Sequence, residues 1–159
     1  MTEKYEILTD EYIMVDDNKL FRIRALKDLV EVKAGELGGF IQSEKNLSHD
    51  GISWIYDNAK VYEDAEVYPD ALISGNAQVH GNARIFGFCH VFGNALVYDN
   101  AQVYGNALVH GNAQVYGNSR VFGNAVVYGN ARVFDRAWIC MNAVVYGNAR
   151  VSGDIWVTE

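Results

Sequence analysis

The sequence predicts an all-β fold, a left-handed parallel β-helix of about six triangular coils of 18 residues, with a small N-terminal β cap. Three observations carry this. From Asp57 to Thr158 one six-residue unit of the form Gly-Asn-Ala-x-Val-Tyr recurs seventeen times without insertion. Its fifth position is Val or Ile in every copy, from Val61 to Val157. Its third is Ala in fourteen, the exceptions being Cys89, Ser119 and Ile155.

Each position of the unit has a physical reason. Val or Ile stiffens an extended backbone and points inward. Its neighbours, the x residue and the aromatic, must then point outward, because side chains alternate across a strand. Gly-Asn supplies the turn, since these types adopt positive φ at least cost. Ala follows at the corner, where only a small side chain fits inside. The second position departs from Asn or Asp only at Phe88 and Arg136. An aliphatic residue followed by a small one four positions on is the pattern of the left-handed helix; handedness rests on that motif, because left-handed crossovers are otherwise rare. Stacked Asn side chains are expected to form amide ladders at the corners.

Two regions result: residues 1–44 as a β cap or head, and residues 45–159 as the solenoid. In the first, Tyr5–Leu8, Ile13–Val15 and Leu20–Ile23 read as short strands, with Asp16-Asp17-Asn18 turning between the last two. Ala25–Val32 reads as a further strand or a helical turn, and Leu37–Ile41 leads into the first coil. This region either covers the open end of the solenoid or recruits a partner. At the other end Gly153–Glu159 has a plain strand and no capping helix, so a neighbouring molecule is expected to cover it.

Composition excludes several classes. The net charge of −7 is spread along the chain, ten acids to six bases in residues 1–44 and ten to seven thereafter. With no basic stripe, nucleic acid is not an expected partner. No apolar run spans a bilayer and the N-terminus lacks a signal-peptide pattern, so no membrane contact and a cytoplasmic location are expected. Cys89 and Cys140 have neither disulfide-framework nor metal-ligand spacing.

An 18-residue period sorts the outward positions onto three faces. The x positions of the first run from Lys60 to Arg150 and those of the second from Glu66 to Trp156; both are dominated by polar residues. The third shows Trp54, Leu72, His90, Leu108, Val126 and Val144 at x, with Tyr56, Ser74, Phe92, His110, Tyr128 and Tyr146 beside them. An apolar face of that extent is more than monomers usually expose. It predicts a homo-oligomer, a trimer favoured over a dimer, through Trp54, Leu72, His90, Phe92, Leu108, His110, Val126, Tyr128, Val144 and Tyr146. Folding the N-terminal segment over the face is the alternative. The aromatic ladders stabilise the sheets or offer a stacking platform; Arg84 and Arg120 beside Phe86, Tyr104 and Phe122 would suit an anionic planar ligand.

Chemistry has few candidates. His90 and His110 fall on the third face in adjacent coils, two residues out of line. They are the candidate catalytic bases and, with a third ligand from a neighbour, the candidate zinc ligands. The plainer reading is that His replaces Tyr as another flat ring. Asp57, Asp99 and Asp135 do not line up as a calcium ladder, and no nucleophile-elbow or phosphate-loop motif is present.

The segments RIRALKDL (Arg22–Leu29) and VKAGELGGFIQSEKNLS (Val32–Ser48), then GISWIYDNAKVY (Gly51–Tyr62) and the repeats, resemble the YdcK-type hexapeptide-repeat proteins of bacteria and their phages. The resemblance covers essentially the whole chain and implies the left-handed β-helix. It also brings an acyltransferase label, which is analogy at the level of fold. Acyltransferases of the wider group have a His near a loop protruding from a coil and bind acyl-coenzyme A between subunits. Here no loop interrupts residues 57–158, so no residue carries over as catalytic, and His80, His90 and His110 do not reproduce the spacing of the related carbonic anhydrases. Two functions therefore stand: a non-catalytic scaffold presenting side-chain ladders to a protein or small ligand, in a phage setting a sequestered host factor, with no cofactor; or an acyltransferase using acyl-coenzyme A at a subunit interface.

Overall fold

The computed structural model describes residues 3–159; the first two residues of the N-terminal region lie outside the described residues. The chain is an all-β parallel solenoid of about seven stacked turns. Each hexad contributes one two-residue strand made of its x residue and its Val or Ile. Strands 18 residues apart pair in parallel register, so Val61, Val79, Val97, Val115, Val133 and Val151 stack over one another on the first face. Val67, Ile85, Val103, Val121, Ile139 and Val157 do so on the second. Ile55, Ile73, Val91, Val109, Val127 and Val145 form the third column.

The corner alanines from Ala59 to Ala143 are fully buried, which confirms the inward assignment of the third hexad position; Ala149, in the open last coil, is exposed. Where Ser119 replaces Ala, its hydroxyl donates to the Tyr116 carbonyl at 2.7 Å and so buries no unpaired group. Positive φ belongs to the first hexad position alone, as at Gly93 (φ 66) and Asp99 (φ 57). The Asn that follows does not share the left-handed backbone; its contribution is the side-chain ladder. One corner differs. Pro69 cannot take positive φ, so Asp70 does so instead (φ 75), converting the corner to the pattern of a type II turn.

The seventh turn arises from residues that do not keep the hexad. Strand β3 (Leu37–Ile41) pairs in parallel with the strand Lys60–Val61, and β4 (Trp54–Ile55) with Leu72–Ile73. Between them a 3₁₀ turn, Glu44–Asn46, takes the place of a hexad corner. Buried Asn46 holds it: its Oδ1 accepts the N–H groups of Gln42 and Ser43 at 3.1 and 2.9 Å, and its Nδ2 donates to the Glu63 and Ala65 carbonyls at 3.1 and 2.8 Å. Gly38 and Gly39 are required by close approach. A Cβ on Gly39 would lie 2.4 Å from the Ala59 carbonyl oxygen, and one on Gly38 would lie 2.7 Å from the Trp54 ring.

The N-terminal region forms two long strands where three short ones were expected. Strand β1 (Tyr5–Val15) is continuous, with a bulge between Leu8 and Tyr12 absorbing the polar residues that suggested a break. It pairs antiparallel with β2 (Asn18–Ala25), the reversal at Asp16 having φ 52. Strand β2 in turn pairs antiparallel with β3, so the hairpin extends the first face into a nine-stranded sheet. Residues 26–34 are irregular, neither strand nor helix; the Leu29 N–H is tied to the Val32 carbonyl at 2.7 Å.

Tyr5, Ile23, Ala25 and Val32 belong to the same continuous core as the solenoid valines. The Tyr5 hydroxyl donates to the Leu47 carbonyl at 2.8 Å. Lys4 is fully buried, its Nζ donating to the Ser53 carbonyl and hydroxyl, each at 2.8 Å, and to the Asp50 carbonyl at 3.2 Å. Among the described residues no helix is long and apolar enough to cross a membrane.

Candidate functional site: the charge-free face

The register confirms the sorting of outward positions. Leu72, His90, Leu108, Val126 and Val144 are consecutive partners on the third face. Beside them Phe92, His110, Tyr128 and Tyr146 stack, with ring centroids 4.6, 5.1 and 5.8 Å apart. Trp54 is the correction. It is 1% exposed, lying under the N-terminal segment with Tyr5 edge-on at 6.3 Å, and so is no part of an exposed face. Its neighbours Tyr56 and Leu72 are partly buried, and Leu29 packs with them against the same core. The two covers foreseen for this face therefore divide it: the N-terminal segment takes its foot, and Leu108, Val144 and Tyr146 remain exposed above.

The corners sharpen this picture. Both corners that flank the third face carry neutral amide ladders. Asn76, Asn94, Asn112 and Asn130 join side chain to side chain at 3.2–3.4 Å on one side, and Asn106, Asn124 and Asn142 at 3.3 Å on the other. Carboxylates occupy the opposite corner, between the first and second faces. There Glu63, Asp99 and Asp135 alternate with glycines coil by coil, each accepting the N–H of the glycine one coil on, at 2.7, 3.1 and 3.0 Å. Asp99 and Asp135 thus do share a corner, two coils apart, while Asp57 lies elsewhere; among the described residues no group of three His, Cys, Asp or Glu side chains is placed to hold a metal ion.

Above Asp57 and Asp70, which sit on these two corners at the foot, the third face and its corners, residues 87–94, 105–112, 123–130 and 141–148, contain no Asp, Glu, Lys or Arg. The rim adds apolar surface: Phe88 is 68% and Met141 62% exposed, both on the corner that precedes the face. Hexad arithmetic applied to strand positions alone missed these two. The signal was present, since both break the Gly-Asn rule of the turn.

His90 and His110 do not form a pair. Phe92 stands between them, tilted against His90 at 4.5 Å and stacked on His110 at 4.6 Å. Ser74 leaves a gap in the aromatic ladder, and His90 leans into it with Nε2 2.7 Å from Ser74 Oγ. The same diagonal joins Tyr62 to Gln78 and Tyr98 to Gln114, so it is a recurring side-chain bridge of the fold. Burial, and secondarily His110, hold the His90 imidazole below its ordinary pKa, favouring the neutral ring. Around it lies a cleft of about 250 Å³ lined by Glu31, Tyr56, Asp57, Leu72 and Ser74.

The stacking-platform expectation meets a geometric obstacle. On the first face Tyr62, His80, Tyr98, Tyr116 and Phe134 stack at 4.9–5.2 Å with planes within 9°. On the second, Phe86, Tyr104 and Phe122 stack at 4.6 and 4.8 Å. Neighbouring rings cover one another's faces, so a ligand meets edges. Arg120 lies over the Trp138 ring at 4.7 Å, and Arg84 instead lines a cleft of about 480 Å³ with Tyr68, Pro69, Asp70 and Phe86.

A family model described as the YdcK beta solenoid repeat matches residues 101–117, 113–128 and 143–159. No curated protein matches the chain. The matched segments are stretches of the stacked hexads, and over them the chain is similar to the YdcK β-solenoid repeat.

Proposed function

We propose that this protein is a non-catalytic scaffold that self-associates through its third face, as a homotrimer with shafts side by side, and presents the side-chain ladders of its other faces to a protein or small-ligand partner. One observation carries the reading: above Asp57 and Asp70 at its foot, formal charge is absent from one face and both its corners, while the other two faces and the corner between them hold Lys60, Glu66, Arg84, Arg132, Asp99 and Asp135. A second copy is the occupant that suits such a surface, because a neutral, flat ladder of Leu, Val and rings and the uncharged rim beside it offer each other apolar contact without stranding a charge. Threefold packing sets the face of one copy against a corner of the next, which accounts for apolar Phe88 and Met141 at the rim. Light scattering of the purified protein tests this. Leu108→Asp yields a monomer of native circular dichroism, and an unchanged mass discards the interface.

The acyltransferase alternative draws on the Ser74–His90 contact, a neutral imidazole beside a hydroxyl in a cleft. Its test is stabilisation by acetyl-coenzyme A in a thermal scan. A shift abolished by His90→Gln would favour acyl transfer over the scaffold.

A further inference from the structure

We propose that His90 and His110 make the third face a pH-gated surface: self-association holds while both imidazoles are neutral and is released when they take up protons. This rests on the self-association reading. Within residues 87–94, 105–112, 123–130 and 141–148 these two side chains are the groups whose charge changes between about pH 5 and 8. Cys89 is also there, its thiol pushed up by burial, away from that range. The electrostatic state of the whole surface is therefore set by two imidazoles.

His110 sits in the middle of the ladder, its ring between Phe92 at 4.6 Å and Tyr128 at 5.1 Å. Neither neighbour offers a counter-charge, and the Asn ladders at both corners are neutral. A second copy docked against this face brings from its uncharged rim only residues such as Phe88, Met141 and Asn opposite. A protonated His110 in that contact loses water and gains no carboxylate. His90 has a different surround: Ser74 on Nε2, Phe92 against the ring, and Glu31, Tyr56 and Asp57 lining the same cleft. Burial, and secondarily the nearby His110, disfavour a charge on His90, so its neutral form is preferred and both imidazoles contribute to the gate.

The sign of the effect separates it from bulk titration. The chain carries −7 at neutral pH and its sequence pI is about 5.0, so acidification removes net repulsion between copies and by itself promotes association. Release on acidification is opposite in sign and points to the histidines.

Sedimentation equilibrium of the full chain at about pH 7.5 and about pH 5.8 tests the gate, in parallel with His110→Phe and the double variant His90→Gln/His110→Phe. Phe is native at this ladder position in Phe92 and Phe122, so the ring is accommodated, and circular dichroism at both pH values checks the fold. The wild type is expected to associate about tenfold or more weakly at the lower pH, and the double variant to associate equally at both. Wild-type association that is unchanged or tighter at low pH overturns the gate while leaving the interface intact. So does a pH dependence that survives in the double variant. A wild type that is monomeric at about pH 7.5 overturns the self-association reading and the gate with it.

Discussion

The Asp99 carboxylate accepts the backbone N–H of Gly117 at 3.1 Å, from the equivalent position one coil earlier on the same corner. Asp99 itself holds φ 57, a left-handed conformation that costs a side chain roughly 1 kcal/mol and more, and the hydrogen bond offsets that cost. Asp99→Ala keeps the strained backbone and loses the acceptor. It is expected to lower the unfolding free energy by about 1–2 kcal/mol in a urea titration. Asp99→Asn, which retains an acceptor and tolerates the left-handed region, should recover most of that loss.

Corner glycines differ by what lies above them. At Gly93 (φ 66) a Cβ would stand 3.0 Å from the Gly111 backbone nitrogen and 3.2 Å from its oxygen, whereas at Gly147 (φ 62) nothing lies within 4 Å. Gly147→Ala therefore meets conformational strain alone, about 1 kcal/mol. Gly93→Ala adds a close backbone approach to which the next coil must yield by a few tenths of an ångström, and about 2–3 kcal/mol is expected. Equal midpoints for the two variants in parallel thermal melts would show that the stack yields more readily than its register implies.

Lys4 links the N-terminal segment to pH. Burial, and secondarily Lys27, lower its ammonium from 10.5 to about 8, while Asp50 and Asp70 pull the other way. Between these two values the unfolded chain holds a proton that the folded chain has released, so stability from this group rises with pH and falls as pH drops through about 8. Tyr5 and Tyr62, whose phenols burial pushes up, work in the opposite direction above about pH 10. Unfolding free energies of wild type minus Lys4→Met, measured from about pH 7.5 to 9.5, should therefore increase with pH. A flat difference would mean that the amine gains its protons equally in both states.

The three faces were legible because one inward Val every six residues fixes the outward direction of its neighbours, and parallel pairing preserves that sorting from coil to coil. Trp54 was misplaced for a reason outside the repeat: residues 3–35 have no period, and their packing over the foot of the third face follows from Tyr5 and Val32 joining the solenoid core. The first coil was equally hidden, since Gly38, Gly39 and Asn46 build it without a hexad. The absence of charge from the upper third face and its corners was readable by the same 18-residue arithmetic, applied to turn positions as well as strands. His90 leaning into the space left by Ser74 was not, because a diagonal contact depends on side-chain volume and not on spacing.

Met141 lets stability and assembly be separated. It occupies a turn position that nearly every other corner gives to Gly or an acid, holds φ 57, and exposes its side chain at the rim of the charge-free face. A residue selected for folding alone would be glycine here. Met141→Gly removes the left-handed strain and should raise the unfolding free energy of the single chain by about 0.5–1 kcal/mol. The same substitution deletes an apolar side chain from the proposed contact and should weaken self-association by about tenfold, roughly the burial of half a Met side chain or more. Opposite signs in chemical unfolding at low concentration and in sedimentation at high concentration are the expected pair. If both quantities rise together, Met141 lies outside the contact, and the threefold arrangement that sets this corner against a neighbouring face has to be replaced by one that uses the face alone.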